Sequence, residues 1–323
     1  MKRRLIWLLL FVAAIVSIIV GWNWQQIRSQ TRAAEVGYQP PLKQVTIAPP
    51  TVDSQRLLAD VEALAFTRYD EDDRRHTRDY ITQGLEEAGW TPQTQKFDGG
   101  INIVAERSGT DSEAGTILLG AHYDTVEQSP GVDDNATSVA VVLEVARLLG
   151  QQPTPRTLQL VFFDLEEVGL VGSEAFVKQV DSETLQGAIV LDMVGYACYT
   201  DGCQSYPPVL PITPSTNRGD FLAVIGDQGH SHLVDSFTQT SSAELPPVLT
   251  LTLPTMGRFT PDLVRSDHAP FWRNGMGAVL VTDTANFRNP NYHQPSDTVE
   301  TIDPEFFRGA AQIVVNAVAI LLH

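Results

Sequence analysis

The chain has 323 residues, of which 43% are apolar and 19% charged, enough apolar material for one large packed domain and too much for a largely disordered chain. Lys and Arg total 22 against 39 Asp and Glu, a formal charge of -17 that excludes general nucleic-acid binding, because phosphate attraction needs a basic surface. Two cysteines are too few for a disulfide scaffold or a Cys₄ zinc site.

The charge is uneven along the chain. Residues 1–34 carry Lys2, Arg3, Arg4, Arg28 and Arg32 and no acid, so the remainder stands at -22. After Lys2-Arg3-Arg4 comes an uncharged apolar run over 5–20, closed by Trp22 and Trp24. As a helix, residues 5–24 would span about 30 Å, one hydrocarbon core. The basic flank predicts the amino terminus inside, and the two Trp suit the opposite interface. A cleaved signal peptide is the rival reading, but its apolar stretch is usually shorter and ends in an A-x-A-like site, and none directly follows Val20. Residues 1–24 are therefore expected to be a signal anchor or transmembrane helix, with the rest of the chain exported to the periplasmic or extracellular side. Residues 25–50, with Pro40-Pro41 and Pro49-Pro50, read as a linker, and 51–323 as the folded domain.

Within that domain, helical patterns at 55–65 and 73–88 precede strands at 101–106 and 116–120. Residues 137–149 (TSVAVVLEVARLL) place apolar side chains at helical spacing. The run 158–163 (LQLVFF) is a buried strand, followed by a helix at 172–180 and a strand at 188–191. Strands at 221–225 and 248–253 flank a helix near 230–241; a strand at 278–282 and a closing helix at 304–322 complete the chain. Buried apolar strands alternating with helices predict an α/β fold with a mostly parallel, mixed central sheet covered on both faces. Cys198 and Cys203 lie close together in YACYTDGCQ, and in an exported domain a small loop-closing disulfide is expected rather than a metal pair.

In such sheets ligands bind beyond the carboxyl ends of the strands, and the reactive residues gather there. GAHYDTV follows one strand with His122 and Asp124; SPGVDDNAT leads into the long helix with Asp133 and Asp134. LQLVFF runs into DLEEVGLVGS with Glu166 and Glu167, AIVL ends at Asp192, and the loop after AVLVTDT holds His293. Imidazole with carboxylate is the ligand set for zinc and similar divalent ions. One Asp could bridge two metals, and a free Glu beside them could take a proton from an attacking water.

These residues resemble the dinuclear-zinc M28 aminopeptidases over roughly residues 55–323. The carriers are H-x-D at His122/Asp124, G-x-D-D-N at 131–135, E-E-x-G at 166–169, L-D-M at 191–193, S-D-H at 266–268, and His293 shortly before Ser296-Asp297-Thr298. Each motif alone is weak; their order and spacing together are specific. The resemblance implies a zinc-peptidase domain over 51–323 that binds two Zn²⁺ and hydrolyses peptide or protein substrates, removing amino-terminal residues. It implies Asp134 as the bridging carboxylate, His122 and Asp192 at one metal, Glu167 and His293 at the other. Glu166 would be the general base, and Asp124 would fix the tautomer of His122 by hydrogen-bonding its far nitrogen. A cis peptide would fall between Asp133 and Asp134.

The chain departs from the family at two points, of which Ser138, where a Gly often follows the D-D-N motif, falls at a helix start and matters little. The catalytic Tyr that some members carry just before S-D-H is missing from DLVRSDH, leaving Arg265 as the polar residue there, either a stabiliser of negative charge or a partner for an acid. His268 is expected to pack near the site rather than bind metal, Asp267 to support the site, and His230 and His232 to be structural. A glycan on the Asn135-Ala136-Thr137 sequon would block the site. Two other functions fit the same motifs. A glutaminyl cyclase-like enzyme would hold one zinc but generally lacks the first Asp of the pair. A non-catalytic binding ectodomain would be expected to have lost at least one ligand or the base.

Overall fold

The computed structural model describes residues 49–323 apart from 209, 211, 213, 241 and 255–259. The anchor expected at 1–24 and nearly all of the linker lie outside the described residues. Among the described residues no helix is long and apolar enough to cross a membrane.

Eight strands form one mixed sheet: β1 (Gln93–Phe97), β2 (Gly100–Arg107), β3 (Thr116–His122), β4 (Thr157–Phe163), β5 (Leu185–Leu191), β6 (Leu222–Asp227), β7 (Val248–Leu253) and β8 (Ala278–Thr282). Their order is β1-β2-β4-β3-β5-β8-β6-β7, parallel through β4-β3-β5-β8 and between β6 and β7, antiparallel elsewhere. Among the described residues seven α-helices accompany it: α1 (Ser54–Ala63), α2 (Glu71–Glu87), α3 (Ser138–Leu149), α4 (Val171–Val177), α5 (Ser231–Thr238), α6 (His268–Arg273) and α7 (Pro304–Leu321). Asp53 caps α1 and Asp303 caps α7, each accepting two backbone N–H bonds at the helix start.

Alternation along the strands makes two cores. In β3, Ile117, Leu119 and Ala121 face a cluster with α1, α2, α3, α5 and α7, whereas Leu118 faces one with α4 and α6. Helices thus cover both faces, as the buried apolar strands require. Two elements escaped the sequence reading for physical reasons. Edge strand β1, QTQKF, is mostly polar, and α6 is a single short stretch after the S-D-H motif.

Register decides where the site falls. His122 pairs with Phe163 across β3–β4, Ala121 with Leu191 across β3–β5, and Leu191 with Val281 across β5–β8. The four strands therefore end nearly flush. The chain passes from β3 to β4 on one side and then crosses back to β5 on the other, so the strand order reverses here and opens a crevice.

Candidate metal centre

Each predicted site residue sits at that crevice. His122 is the last residue of β3, Asp124 follows in the next loop, Glu166 and Glu167 follow β4, and Asp192 follows β5. Asp134 lies in the turn that opens α3, and His293 in the loop after β8.

Asp134 stands at the middle. Its Oδ1 is 3.3 Å from His122 Nε2 and its Oδ2 is 3.1 Å from His293 Nε2, so the two oxygens face different imidazoles. On the first side, His122 Nε2 lies 3.8 Å from Asp192 Oδ1. On the second, His293 Nε2 lies 3.0 Å from Glu167 Oε2. Ligand atoms of His122, Asp134 and Glu167 all come within 4.8 Å of one another, as do those of His122, Glu166 and Asp192.

These contacts fit cations better than hydrogen bonds. His293 Nε2 has no aligned hydrogen bond despite two carboxylate oxygens close by, and buried Glu167 Oε1 has no partner either. Donors about 2.0–2.1 Å from a tetrahedral ion lie roughly 3.3 Å apart, near the separations here. The electrostatics agree. Burial alone would lower both imidazoles, yet the surrounding carboxylates hold His122 well above the ordinary range and His293 at about 10. Burial raises Glu167 to about 7, helped by the negative charge of Asp134, and burial also holds Glu166 well above its usual value. For Asp134, the two imidazoles outweigh burial and keep it below the usual carboxylate range.

A ring of backbone contacts holds the ligands. Asp124 accepts from the amides of Glu166 and Glu167 at 3.0 and 3.1 Å, so it ties the end of β3 to the E-E segment. Its role for His122 differs from the expectation: its backbone oxygen lies 3.2 Å from Nδ1, nearer than its carboxylate at 3.5 Å. The carboxylate is already engaged by the two amides, which leaves the carbonyl as the closer acceptor. Asp297 accepts from the amides of Asp133 and Asp134. Asn135 donates to Leu191 O and accepts from Met193 N, fastening the turn before α3 to the segment that carries Asp192. Asn135 is fully buried, which leaves its sequon no room for a glycan. The cis peptide joins Asp134 to Asn135, one bond later than expected.

Sequence reasoning missed a buried cation beneath this ring. Arg68 is fully buried and donates to the carbonyls of Leu64, Phe66, Tyr123, Pro130 and Gly131. It thereby braces the loop of Asp124 against the turn of Asp134. Nothing in TRYDED distinguishes it from a surface Arg, because its partners are carbonyls from distant segments. Tyr292 was also missed: its ring stacks on His293 with centroids 3.8 Å apart. His268 packs edge-on against Trp272 with Nε2 on Leu263 O, and Asp267 is buried and accepts from Ser173. His230 pairs with Asp227, and Cys198 and Cys203 form a disulfide. Arg265 pairs with no acid among the described residues; it donates to Asn286 Oδ1 and the Tyr292 hydroxyl.

The ligands line one end of a cavity of about 620 Å³. Its other wall is apolar, formed by Phe221, Ile225, Leu251, Leu263 and Leu280 together with the loop after the disulfide.

An α/β sheet with imidazoles and carboxylates gathered at its parallel strand ends, beside an apolar cavity, is the arrangement of a metal-binding enzyme site. The chain belongs to peptidase family M28, whose model matches residues 102–318, and it carries out metal-dependent peptide hydrolysis. It is 32% identical to the uncharacterized protein YfbL of Escherichia coli, over 78% of this chain and 81% of that one. It is 33% identical to the probable lipoprotein aminopeptidase LpqL of Mycobacterium tuberculosis over 66% of this chain, but spans only 43% of LpqL. An aminopeptidase from Aneurinibacillus shares the fold with a TM-score of 0.65 at 17% identity, covering 83% of this chain and 93% of that one. Fold alone does not separate activities, since a glutaminyl cyclase from Bacteroides thetaiotaomicron matches with a TM-score of 0.61 at 17% identity, covering 84% and 98%.

Proposed function

We propose that this protein is an aminopeptidase working with two zinc ions, His122 and Asp192 holding one, Glu167 and His293 the other, and Asp134 bridging both. The observation that carries this reading is the geometry of Asp134, whose two oxygens each face a separate imidazole–carboxylate pair. Bound zinc would supply Lewis acidity toward the scissile carbonyl and lower the pKa of water. Glu166 lines the cavity beside these ligands, with its backbone pinned by Asp124. It is the group placed to accept the proton of the attacking water and pass it to the leaving amine. The apolar wall takes the side chain that precedes the scissile bond, excluding water from it. The basic flank and apolar run at 1–24 support the further proposal that the domain is exported and tethered to the membrane by its amino terminus.

Purified protein should contain two zincs per chain and release free amino-terminal residues, leucine among them, from peptides. One zinc per chain together with pyroglutamate formation from Gln-peptides would replace this reading with that of a glutaminyl cyclase.

A further inference from the structure

Arg265 is an exception among the arginines of this acid-rich chain. Among the described residues the exposed arginines are Arg56, Arg75, Arg218, Arg265 and Arg273. Four of them pair with a carboxylate; Arg265 does not. Its guanidinium donates instead to two neutral groups, Asn286 Oδ1 at 3.1 Å and the Tyr292 hydroxyl at 3.0 Å. Both bonds orient it at the rim of the cavity, beside Tyr292, whose ring lies on His293. A guanidinium has five donors, so several remain free, and Asn286 still has its amide N–H groups to give. Among the described residues Arg265 is also the one Lys or Arg lining a cavity that contains Asp134, Glu166, Glu167, Asp192 and Asp262.

We propose that Arg265, with Asn286 and Tyr292, binds a carboxylate of the substrate close to the scissile bond, so that short peptides, dipeptides foremost, are preferred. This rests on the peptidase reading above. The apolar floor, with Phe221 and Ile225 buried, receives the side chain before the bond. The rest of the substrate then lies toward the open rim, where Arg265 is exposed. In a dipeptide the terminal carboxylate follows the bond by a single residue. A planar guanidinium accepts a carboxylate in bidentate fashion, and Arg265 presents its free donors at that rim with no carboxylate of the described chain paired to it. The same chemistry would serve an acidic side chain after the bond, and the two sources are separable.

The test compares kcat/KM for Leu-Gly, Leu-Gly-amide and Leu-Glu-amide in the wild type, Arg265→Ala and Arg265→Lys. A charged hydrogen bond predicts a wild-type preference for Leu-Gly over its amide of about tenfold or more. That ratio should fall to near unity in Arg265→Ala and recover only partly in Arg265→Lys. A preference for Leu-Glu-amide over Leu-Gly-amide, lost in the Ala variant, would assign the side-chain carboxylate as the ligand. An unchanged ratio in Arg265→Ala overturns the proposal, as does an equal loss on all three substrates, which would mean a role in turnover. Calorimetric binding of Leu-Gly and its amide to Glu166→Gln, with and without Arg265→Ala, reads the same preference without hydrolysis. If no peptide is cleaved while that binding preference holds, the peptidase reading fails and the carboxylate site stands.

Discussion

At the ends of β3, β4 and β5, every reactive side chain follows its strand by no more than four residues, on backbone fixed by sheet register. The opposite wall rests partly on β6, β7 and β8, through Ile225, Leu251 and Leu280, and partly on residues 204–215, which have neither helix nor strand among their described residues. That segment is tethered: Gln204 takes Arg288 Nε at 2.8 Å and gives to Thr284 Oγ1 at 2.9 Å, and Ser205 N bonds Phe287 O. The disulfide Cys198–Cys203 and the pairing of Cys198 with Gly219 close its base. The strand-end ligands thus inherit their precision from the sheet, whereas the 204–215 segment of the cavity depends on tethers. Chemistry demands tight placement and gathers at the strand ends, joined there by Asp134 from a hydrogen-bonded turn and His293 from a loop, while substrate fit tolerates the tethered segment.

Breaking the ligand-bearing side should have the largest effects. Asp134→Asn removes the charge shared by both imidazoles, and metal content measured by atomic absorption should fall below one zinc per chain with activity lost. Two retained zincs would remove Asp134 as the bridge. Glu166→Gln should keep both metals but lower kcat by about 10²–10⁴-fold, the range for a positioned acid–base group. An unchanged kcat would remove Glu166 as the base. Asp297→Asn tests the support of that side. Asp297 holds the amides of both Asp133 and Asp134, and burial with the charge of Asp133 raises it to about 7. Asparagine leaves one of those buried N–H groups without an oxygen, so zinc affinity in chelator competition should drop by about 10–100-fold, as for other groups that orient metal ligands. An unaltered affinity would show that the turn holds its shape without it.

The same contrast explains what could be read in advance. His122, Asp124, Glu166, Glu167 and Asp192 each trail a continuous apolar run, so strand recognition and the rule of strand ends locate them together. Asp134 and His293 needed the motif order, since nothing in their own spacing tells which strand end they approach. Arg68 and Asn135 were illegible because their partners are backbone groups brought close only by the tertiary fold. Tyr292 was hidden for a different reason. Its importance lies in stacking on the next residue in an irregular loop, where neither helical nor strand period says which way a side chain turns. The wall over 204–215 gives no periodic signal at all; only the Cys spacing beside it spoke.

The smallest expected effect falls on the tethered segment. Replacing both cysteines by serine opens a loop of sequence separation 5, and the chain-entropy relation gives a stability loss of about 2 kcal/mol. For a domain of this size that lowers Tm by a few degrees in calorimetry. The loop leads directly into Gln204, whose bonds to Thr284 and Arg288 position the wall, so its loosening should raise KM for peptides with a bulky apolar first residue. The strand-end ligands share no hydrogen bond with Gln204 among the described residues, and zinc content should stay at the wild-type value. A parallel loss of zinc would erase the distinction between the two regions and make the cavity a single cooperative unit. A rise in KM alone would show that the sheet sets the chemistry while the disulfide-closed loop sets the fit.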